Sequence, residues 1–408
     1  MHILFLTDNF PPEINAPASR THEHAREWVK LGHAVTVITC APNFPKGRVY
    51  DGYQNKFWQV EDIDGIRVIR VWSYITANEG FAKRILDYVS FMITSFLASF
   101  IVRKVDVVVG TSPQFFTAIS AWMVSGFKRK PFVFELRDLW PESIRAVGAM
   151  QESKILDAFE KLELFLYRRA DAIISVTNSF KENLIGRGID GSKIHVITNG
   201  VDSSKFAPQE KDSELVEELG LQGKFIAGYI GTHGMAHALD ALLQSAKITQ
   251  ERSQNNQIHY LFLGGGAEKA KLQNLAAELQ LRNVTFVDSV PKSDVARYWS
   301  ILDVSIVHLR KTDLFKTVIP SKIFECMGMG IPILHGVEGE SADIVANSGA
   351  GKLVEPENAE DIASNLMGLS SDPDALASMS KNGVIASSEF DRKSLSENML
   401  VFLEDLEK

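Results

Sequence analysis

The chain has 408 residues, 45% of them hydrophobic and 23% charged, with a net charge of −8. This is the composition of a globular protein long enough for two domains of about 200 residues. With no basic stripe carrying interleaved aromatics, it excludes nucleic acid as a partner.

Charge is uneven along the chain: residues 1–200 hold 24 Lys+Arg against 21 Asp+Glu, and the remainder holds 19 against 30. Cys40 and Cys326 are distant and lack metal-ligand spacing, which suits reduced thiols in a reducing compartment. Met1 leads directly into a strand-like run with no signal-peptide pattern, so a cytoplasmic protein is expected.

Short apolar runs, β-branched and apolar at successive positions, predict strands of a parallel sheet covered on both faces. In the first half they are Ile3–Thr7, Ala34–Thr39, Ile66–Val71, Val105–Val109, Phe132–Leu136, Ala172–Val176 and Ile194–Ile197. Asp62-Ile63-Asp64-Gly65 has the look of a metal-binding Asp-x-Asp, but its place just before a strand reads as a hairpin turn. His22 and His24, two apart, face apart on a helix and make no metal pair. The run from Ile85 to Val102 is about long enough to cross a bilayer, which takes ~20 residues. It is interrupted by Asp87, Ser90, Thr94, Ser95 and Ser99, and reads as an amphipathic or buried helix inside the first domain. Its basic flanks within 81–104, with Lys128-Arg129-Lys130, suit an anionic membrane surface.

Thr198-Asn199-Gly200-Val201-Asp202 and the polar stretch beyond it read as a linker. The second half repeats the strand pattern at Phe225–Ile230, Tyr260–Leu263, Val284–Val287, Val304–Val307, Ile331–Leu334 and Gly351–Val354. The expected fold is α/β, two doubly wound Rossmann-like domains facing across a cleft. A last helix is expected over Ser394–Leu406.

In such sheets ligands lie beyond the carboxyl ends of the strands. In the second domain those tips are Gly231-Thr232-His233-Gly234, Gly264-Gly265-Gly266, Val290-Pro291-Lys292 and Pro320-Ser321-Lys322-Ile323-Phe324-Glu325. The last places a lysine and a carboxylate near a helix start, where a phosphate and ribose hydroxyls can be held, although Ile323, Phe324 and Met327 equally suit a packed crossover helix. In the first domain the tips are Asn9-Phe10-Pro11-Pro12-Glu13, Thr111-Ser112-Pro113 and Arg137-Asp138-Leu139-Trp140-Pro141-Glu142.

These segments, with Ala41-Pro42-Asn43-Phe44-Pro45-Lys46-Gly47 and Phe134-Glu135-Leu136-Arg137, resemble the bacterial family-4 glycosyltransferases of the GT-B fold. The branch resembled contains N-acetyl-L-fucosamine transferases of O-antigen and capsule assembly. The resemblance implies that residues 201–389 bind a UDP-sugar, and that residues 1–200 with a returning helix in 390–408 bind the acceptor, a lipid-linked saccharide. It implies transfer with retention and no required metal or other cofactor.

Matched position by position, Glu325 is the family's ribose-binding glutamate and Asn199 its linker asparagine, while Gly231, Thr232, Gly264, Gly265, Val290, Pro320 and Ser321, at the strand tips, are expected to line the donor site. Thr317 stands where a sugar-binding glutamate is usual, which fits a deoxy or acetamido sugar better than a fully hydroxylated hexose. The family's two diphosphate cations near Gly231 are absent. Lys322 is the expected replacement, with Arg310, Lys311 and Lys316 in reserve. Arg137 aligns with the family's histidine and, being no base at neutral pH, would act as a fixed charge or clamp. Asp138, Glu142 and Glu13 are the carboxylates expected near the acceptor hydroxyl. Alternatives are a sugar-nucleotide epimerase of the same architecture, or a membrane-docked assembly subunit without activity.

Overall fold

The structure, a computed structural model, describes residues 1–44, 46–76, 81–112, 114–139, 154–252, 257–291 and 293–407. The chain divides into two compact units, Met1–Thr198 with Arg392–Lys408, and Asn199–Asp391.

The first unit carries β1 (His2–Leu6), β2 (Ala34–Cys40), β3 (Trp58–Ile63), β4 (Ile66–Val71), β5 (Val107–Thr111), β6 (Phe132–Leu136), β7 (Ala172–Ser175) and β8 (Ile194–Val196). Its sheet order among the described residues is β3-β4-β2-β1-β5-β6-β7-β8, parallel except for β3. Successive side chains enter opposite cores, as a doubly covered sheet requires. Leu4 and Leu6 pack with Phe91, Phe115 and Leu166 on one face, and Ile3 and Phe5 pack with Trp28, Met399 and Leu403 on the other. The last two residues belong to the Arg392–Glu407 helix, whose Ser396 carbonyl accepts the Trp28 indole N–H at 2.9 Å.

β3 is additional to the sequence expectation. It is an edge strand whose even positions are exposed and whose polar residues, Gln59, Glu61 and Asp62, break any apolar run. It pairs antiparallel with β4 through a turn in which Asp64 and Gly65 both have positive φ, the form favoured between twisted strands. Asp64 there pairs with His22 at 2.8 Å, so the Asp-x-Asp segment is a hairpin turn, while His24 is buried against Trp28. Among the described residues no group of three or more His, Cys, Asp or Glu side chains converges to hold a metal ion.

The apolar segment of the first unit forms a helix over Phe81–Ser99. Its polar interruptions turn inward: Ser95 Oγ meets Ser120 Oγ at 2.8 Å, and Thr94 Oγ1 donates to the Trp72 carbonyl at 2.7 Å. Leu86, Ile93 and Leu97 turn outward, each about half exposed. Among the described residues no helix is long and apolar enough to cross a membrane.

The second unit carries β9 (Phe225–Ile230), β10 (Ile258–Leu263), β11 (Val284–Val287), β12 (Val304–His308), β13 (Ile333–Gly336) and β14 (Gly351–Leu353), in the all-parallel order β11-β10-β9-β12-β13-β14. β13 starts two residues later than expected because Pro332 has no N–H to give the ladder. The adjoining Lys322–Met329 helix buries Ile323, Phe324, Cys326 and Met327 in the core.

Candidate active site

Two glycine-bearing loops, at the carboxyl ends of β9 and β10, meet beside the end of β11. The Gly231 N–H bonds the Leu263 carbonyl at 2.9 Å and the Gly264 N–H bonds the Val287 carbonyl at 3.1 Å, so each loop leaves its strand held to its neighbour. The His233 N–H reaches the Gly265 carbonyl at 2.8 Å, and the Tyr229 hydroxyl closes the first loop on the Thr232 carbonyl at 2.8 Å. Gly231 and Gly264 have φ of +147° and +145°, conformations open to glycine and strained for other residues. A Cβ on Gly264 would overlap the Gly231 carbonyl oxygen. The two backbones are therefore in direct contact, and nothing larger than glycine fits between them.

Lys322 opens the helix beneath these loops. Its Nζ is buried without a hydrogen-bond partner and lies 3.9 Å from the centre of the Tyr229 ring. A Cβ built on Gly231 would stand 2.8 Å from it, so the ammonium points at the backbone of the first loop. Burial pushes its pKa down to about 8, and Cys326 and Glu325 pull weakly the other way. An ammonium held on an aromatic face with no anion is positive charge waiting for a negative ligand.

The reserve cations are otherwise engaged. Lys311 pairs with Glu355 at 2.8 Å, Lys316 with Asp313 at 2.8 Å, and Arg310 Nε donates to the Met235 carbonyl. The helix start itself contributes less than expected, because the Ile323 and Phe324 N–H groups turn back onto the Pro320 and Ser321 carbonyls and Ser321 does not cap the helix. Of these cations, Lys322 is the one whose charge has no hydrogen-bond partner.

Glu325, half-buried one turn further on, accepts the Trp299 indole N–H at 3.3 Å. Thr317 closes the preceding turn, its hydroxyl on the Leu314 carbonyl at 2.7 Å. Val290 is half-buried beyond β11, Gly265 lies against Ser289, and Asn199 is the first residue of this unit.

His233, Tyr229 and Trp299 are the residues whose part sequence reasoning missed. His233 is fully buried, neither ring nitrogen has a hydrogen-bond partner, and burial with the nearby Lys269 and Lys322 charges lowers its pKa to about 4. It is a neutral ring at physiological pH, walled by Tyr229, Phe262 and Phe286. A histidine two residues after a strand-end glycine, within the Gly231-Thr232-His233-Gly234 tip, was the one available signal.

In the first unit Arg137 and Asp138 follow β6, their N–H groups on Ser112 Oγ at 2.8 and 3.3 Å. Arg137 Nη1 is buried without a hydrogen-bond partner, and desolvation lowers the guanidinium pKa to about 10, which leaves it charged at neutral pH. Beside it, Arg20 pairs with the buried Glu135 at 2.9 Å and reaches the Ile197 and Thr198 carbonyls.

Glu13, expected near the acceptor hydroxyl, is held between two loops. Both its oxygens are occupied, one by the Phe10 N–H at 3.3 Å and the other by the Asn43 and Phe44 N–H groups at 2.7 and 2.8 Å. It clamps two loops together, and burial outweighs the three N–H donors to raise its pKa to about 7. Glu142 lies outside the described residues.

Comparison with known proteins places this geometry. Residues 18–205 match Glycosyltransferase Family 4 and residues 211–384 match Glycosyl transferases group 1. An Escherichia coli protein named for a colanic acid biosynthesis glycosyl transferase, WcaI, is 24% identical over 345 residues, covering 81% of this chain and 82% of its own. A GDP-mannose-dependent alpha-mannosyltransferase of Mycobacterium tuberculosis is 24% identical over 189 residues, 46% of this chain and 45% of its own. Among solved structures, Anabaena Alr3699/HepE in complex with UDP-glucose superposes with a TM-score of 0.74 at 17% identity, covering 99% of this chain and all of that one. Sucrose-phosphate synthase of Thermosynechococcus elongatus does so with a TM-score of 0.76 at 17% identity, covering 99% and 98%. These likenesses establish the two-domain GT-B fold.

Proposed function

The chain is a glycosyltransferase built from a family 4 domain followed by a group 1 domain, and from that premise we propose that it moves a deoxy-acetamido sugar from a UDP-sugar to a lipid-linked saccharide in bacterial surface polysaccharide synthesis. The observation that carries the donor half is the partnerless buried ammonium of Lys322 aimed at the Gly231 backbone. A diphosphate laid along that loop meets a fixed positive charge where negative charge grows as the glycosyl bond breaks. Glu325, oriented by Trp299, is placed to accept ribose hydroxyls. Thr317, in place of a carboxylate, favours a sugar with fewer hydroxyls to bind.

The step we propose retains configuration. The bond from the anomeric carbon to the diphosphate oxygen breaks, the acceptor oxygen bonds the same face of that carbon, and the acceptor proton passes to the departing diphosphate. Arg137 serves as a fixed charge, Asp138 is the acceptor-side carboxylate, and no metal takes part.

Calorimetric titration with UDP, with and without EDTA, tests this reading. Saturable binding is expected in both, weakened about tenfold or more by Glu325→Ala, since a charged hydrogen-bond partner is worth roughly 1.5–3 kcal/mol. Preference for GDP, loss of binding in EDTA, or an unchanged Glu325→Ala affinity would each overturn a named part of it. Donor turnover without acceptor would point instead to an epimerase.

We propose further that the first unit docks on the cytoplasmic face of the membrane. Leu86, Ile93, Leu97, Phe100 and Ile101 stand exposed in sequence with Phe127, which packs on Phe100 at 4.6 Å. Lys83, Arg84, Arg103, Lys104, Arg129 and Lys130 flank them. Apolar side chains ringed by cations suit an anionic bilayer surface. Co-sedimentation with vesicles containing anionic lipid at low salt is expected for the native chain, and at least a tenfold loss for Leu97→Glu with Phe127→Glu. Failure of the native chain to sediment would sink the idea.

A further inference from the structure

A separate cavity of about 300 Å³ lies wholly within the first unit. It opens where the strand order reverses around β1, which has β2 on one side and β5 on the other. Asp8 follows β1 by two residues, Asn43 follows β2 by three, and Asp87 and Tyr88 come from the Phe81–Ser99 helix. Reversal points at the carboxyl edge of a parallel sheet leave a crevice between diverging loops. Glu13, by tying the Asn43 and Phe44 N–H groups to the Phe10 turn, holds this one open.

We infer that this cavity receives one neutral pyranose ring, the terminal sugar of the acceptor, gripped by Asp8 and Asp87 and covered by Phe44. The inference rests on the transferase reading above for the word acceptor, and on the cavity alone for the sugar. The volume is at the small end for ligand sites and accommodates a single ring.

The wall chemistry selects the ligand. Two carboxylates repel phosphates and acidic sugars. Arg84, whose Nε donates to the Tyr88 hydroxyl at 2.9 Å, offsets their charge and disfavours a cationic ligand. Sugar hydroxyls both donate and accept, and so satisfy carboxylates and the Asn43 amide together, while the aromatic rings cover the apolar C–H face. Burial raises Asp8 to about 6 and Asp87 to about 7, with Asp8 adding to the rise at Asp87 and Arg84 opposing both. Glu13 and Cys40 also face this group. Near neutral pH each carboxyl therefore exists in both forms, able to accept from one hydroxyl or donate to another.

The test is saturation-transfer NMR on the full chain with the methyl glycosides of glucose, galactose, N-acetylglucosamine, N-acetylgalactosamine and rhamnose, beside a UDP titration. At least one glycoside should give saturable transfer, weakened tenfold or more in Asp8→Asn and Asp87→Asn and about fivefold in Phe44→Ala, with UDP affinity unchanged. Phe44 is 46% exposed, so its variant folds even if a carboxylate variant does not. No saturable glycoside, or binding that survives in all three variants, overturns the inference. Loss of UDP binding by the native chain would instead remove the donor reading and leave a glycoside result standing.

Discussion

Replacing Lys322 with alanine should weaken UDP binding by roughly 10- to 150-fold, the equivalent of about 1.5–3 kcal/mol for a hydrogen bond to a charged group. The same change should leave the melting temperature of the free protein equal or higher. The two signs come from one fact: the Nζ is buried on the Tyr229 ring with no anion beside it. An unpartnered buried charge costs stability, and only a ligand recovers that cost.

The pH profile follows with its sign. Desolvation sets the free-state pKa at about 8, and a bound diphosphate raises it, so binding takes up a proton wherever the free amine is neutral. UDP affinity should be flat from pH 6.5 to 7.5 and then fall, approaching about tenfold per unit above pH 8. Calorimetry in buffers of different ionisation enthalpy measures that uptake directly. Lys311→Ala, which removes a cation already paired with Glu355, should change neither quantity. A Lys322→Ala protein that binds UDP normally would dispose of the assignment.

Gly264→Ala should be the most damaging single-methyl change in the second unit. The residue sits at φ +145°, and the added carbon would overlap the Gly231 carbonyl oxygen while lying 3.5 Å from His233 Nε2. Strain of about 1–3 kcal/mol adds to an overpacking cost of similar size, roughly 2–5 kcal/mol in all. For a unit of this size that lowers the melting temperature by roughly 5–20 °C. Since the backbone that must move is the one facing Lys322, UDP affinity should fall with it. Gly368→Ala is the matched control. It lies in the Ala359–Ser370 helix with open space around its Cβ position, and should stabilise by about 0.5–1 kcal/mol. Differential scanning calorimetry separates the two outcomes, and equal melting of native and Gly264→Ala proteins would refute the crowding argument.

Much of the fold was legible because both sheets are covered on both faces, so their strands are mostly apolar at successive positions: Phe132–Leu136 and Phe225–Ile230 are read to the residue. β3 was not, since an exposed edge strand carries Glu61 and Asp62 where a covered strand carries valine. The inward turn of Ser95 and Thr94 in the Phe81–Ser99 helix was hidden for a related reason. Periodicity assumes polar residues face water, and here Ser120 and the Trp72 carbonyl take that place.

At the site, the motif pointed to Lys322 and Glu325 by type and spacing. What it could not convey is partnership across distance. That Trp299 orients Glu325 from 26 residues away, or that Tyr229 carries the ammonium, depends on packing. Glu13 shows the converse, because a carboxylate in a likely-looking loop finds all its hydrogen bonds within that loop and its neighbour.

The C-terminal helix has a consequence for how the protein is made. The first unit is assembled from two pieces of chain, Met1–Thr198 and Arg392–Lys408, and the second unit is an uninterrupted segment between them. A ribosome adding about 5–20 residues per second needs roughly 10–40 s to cross the intervening segment. Throughout that interval Trp28, Ile3 and Phe5 lack the Met399 and Leu403 side chains that bury them. The second unit therefore finishes folding first although it is made later. A chain cut short before residue 392 would carry a complete second unit and, in the first, an open hydrophobic face, the kind of surface that chaperones bind and proteases find.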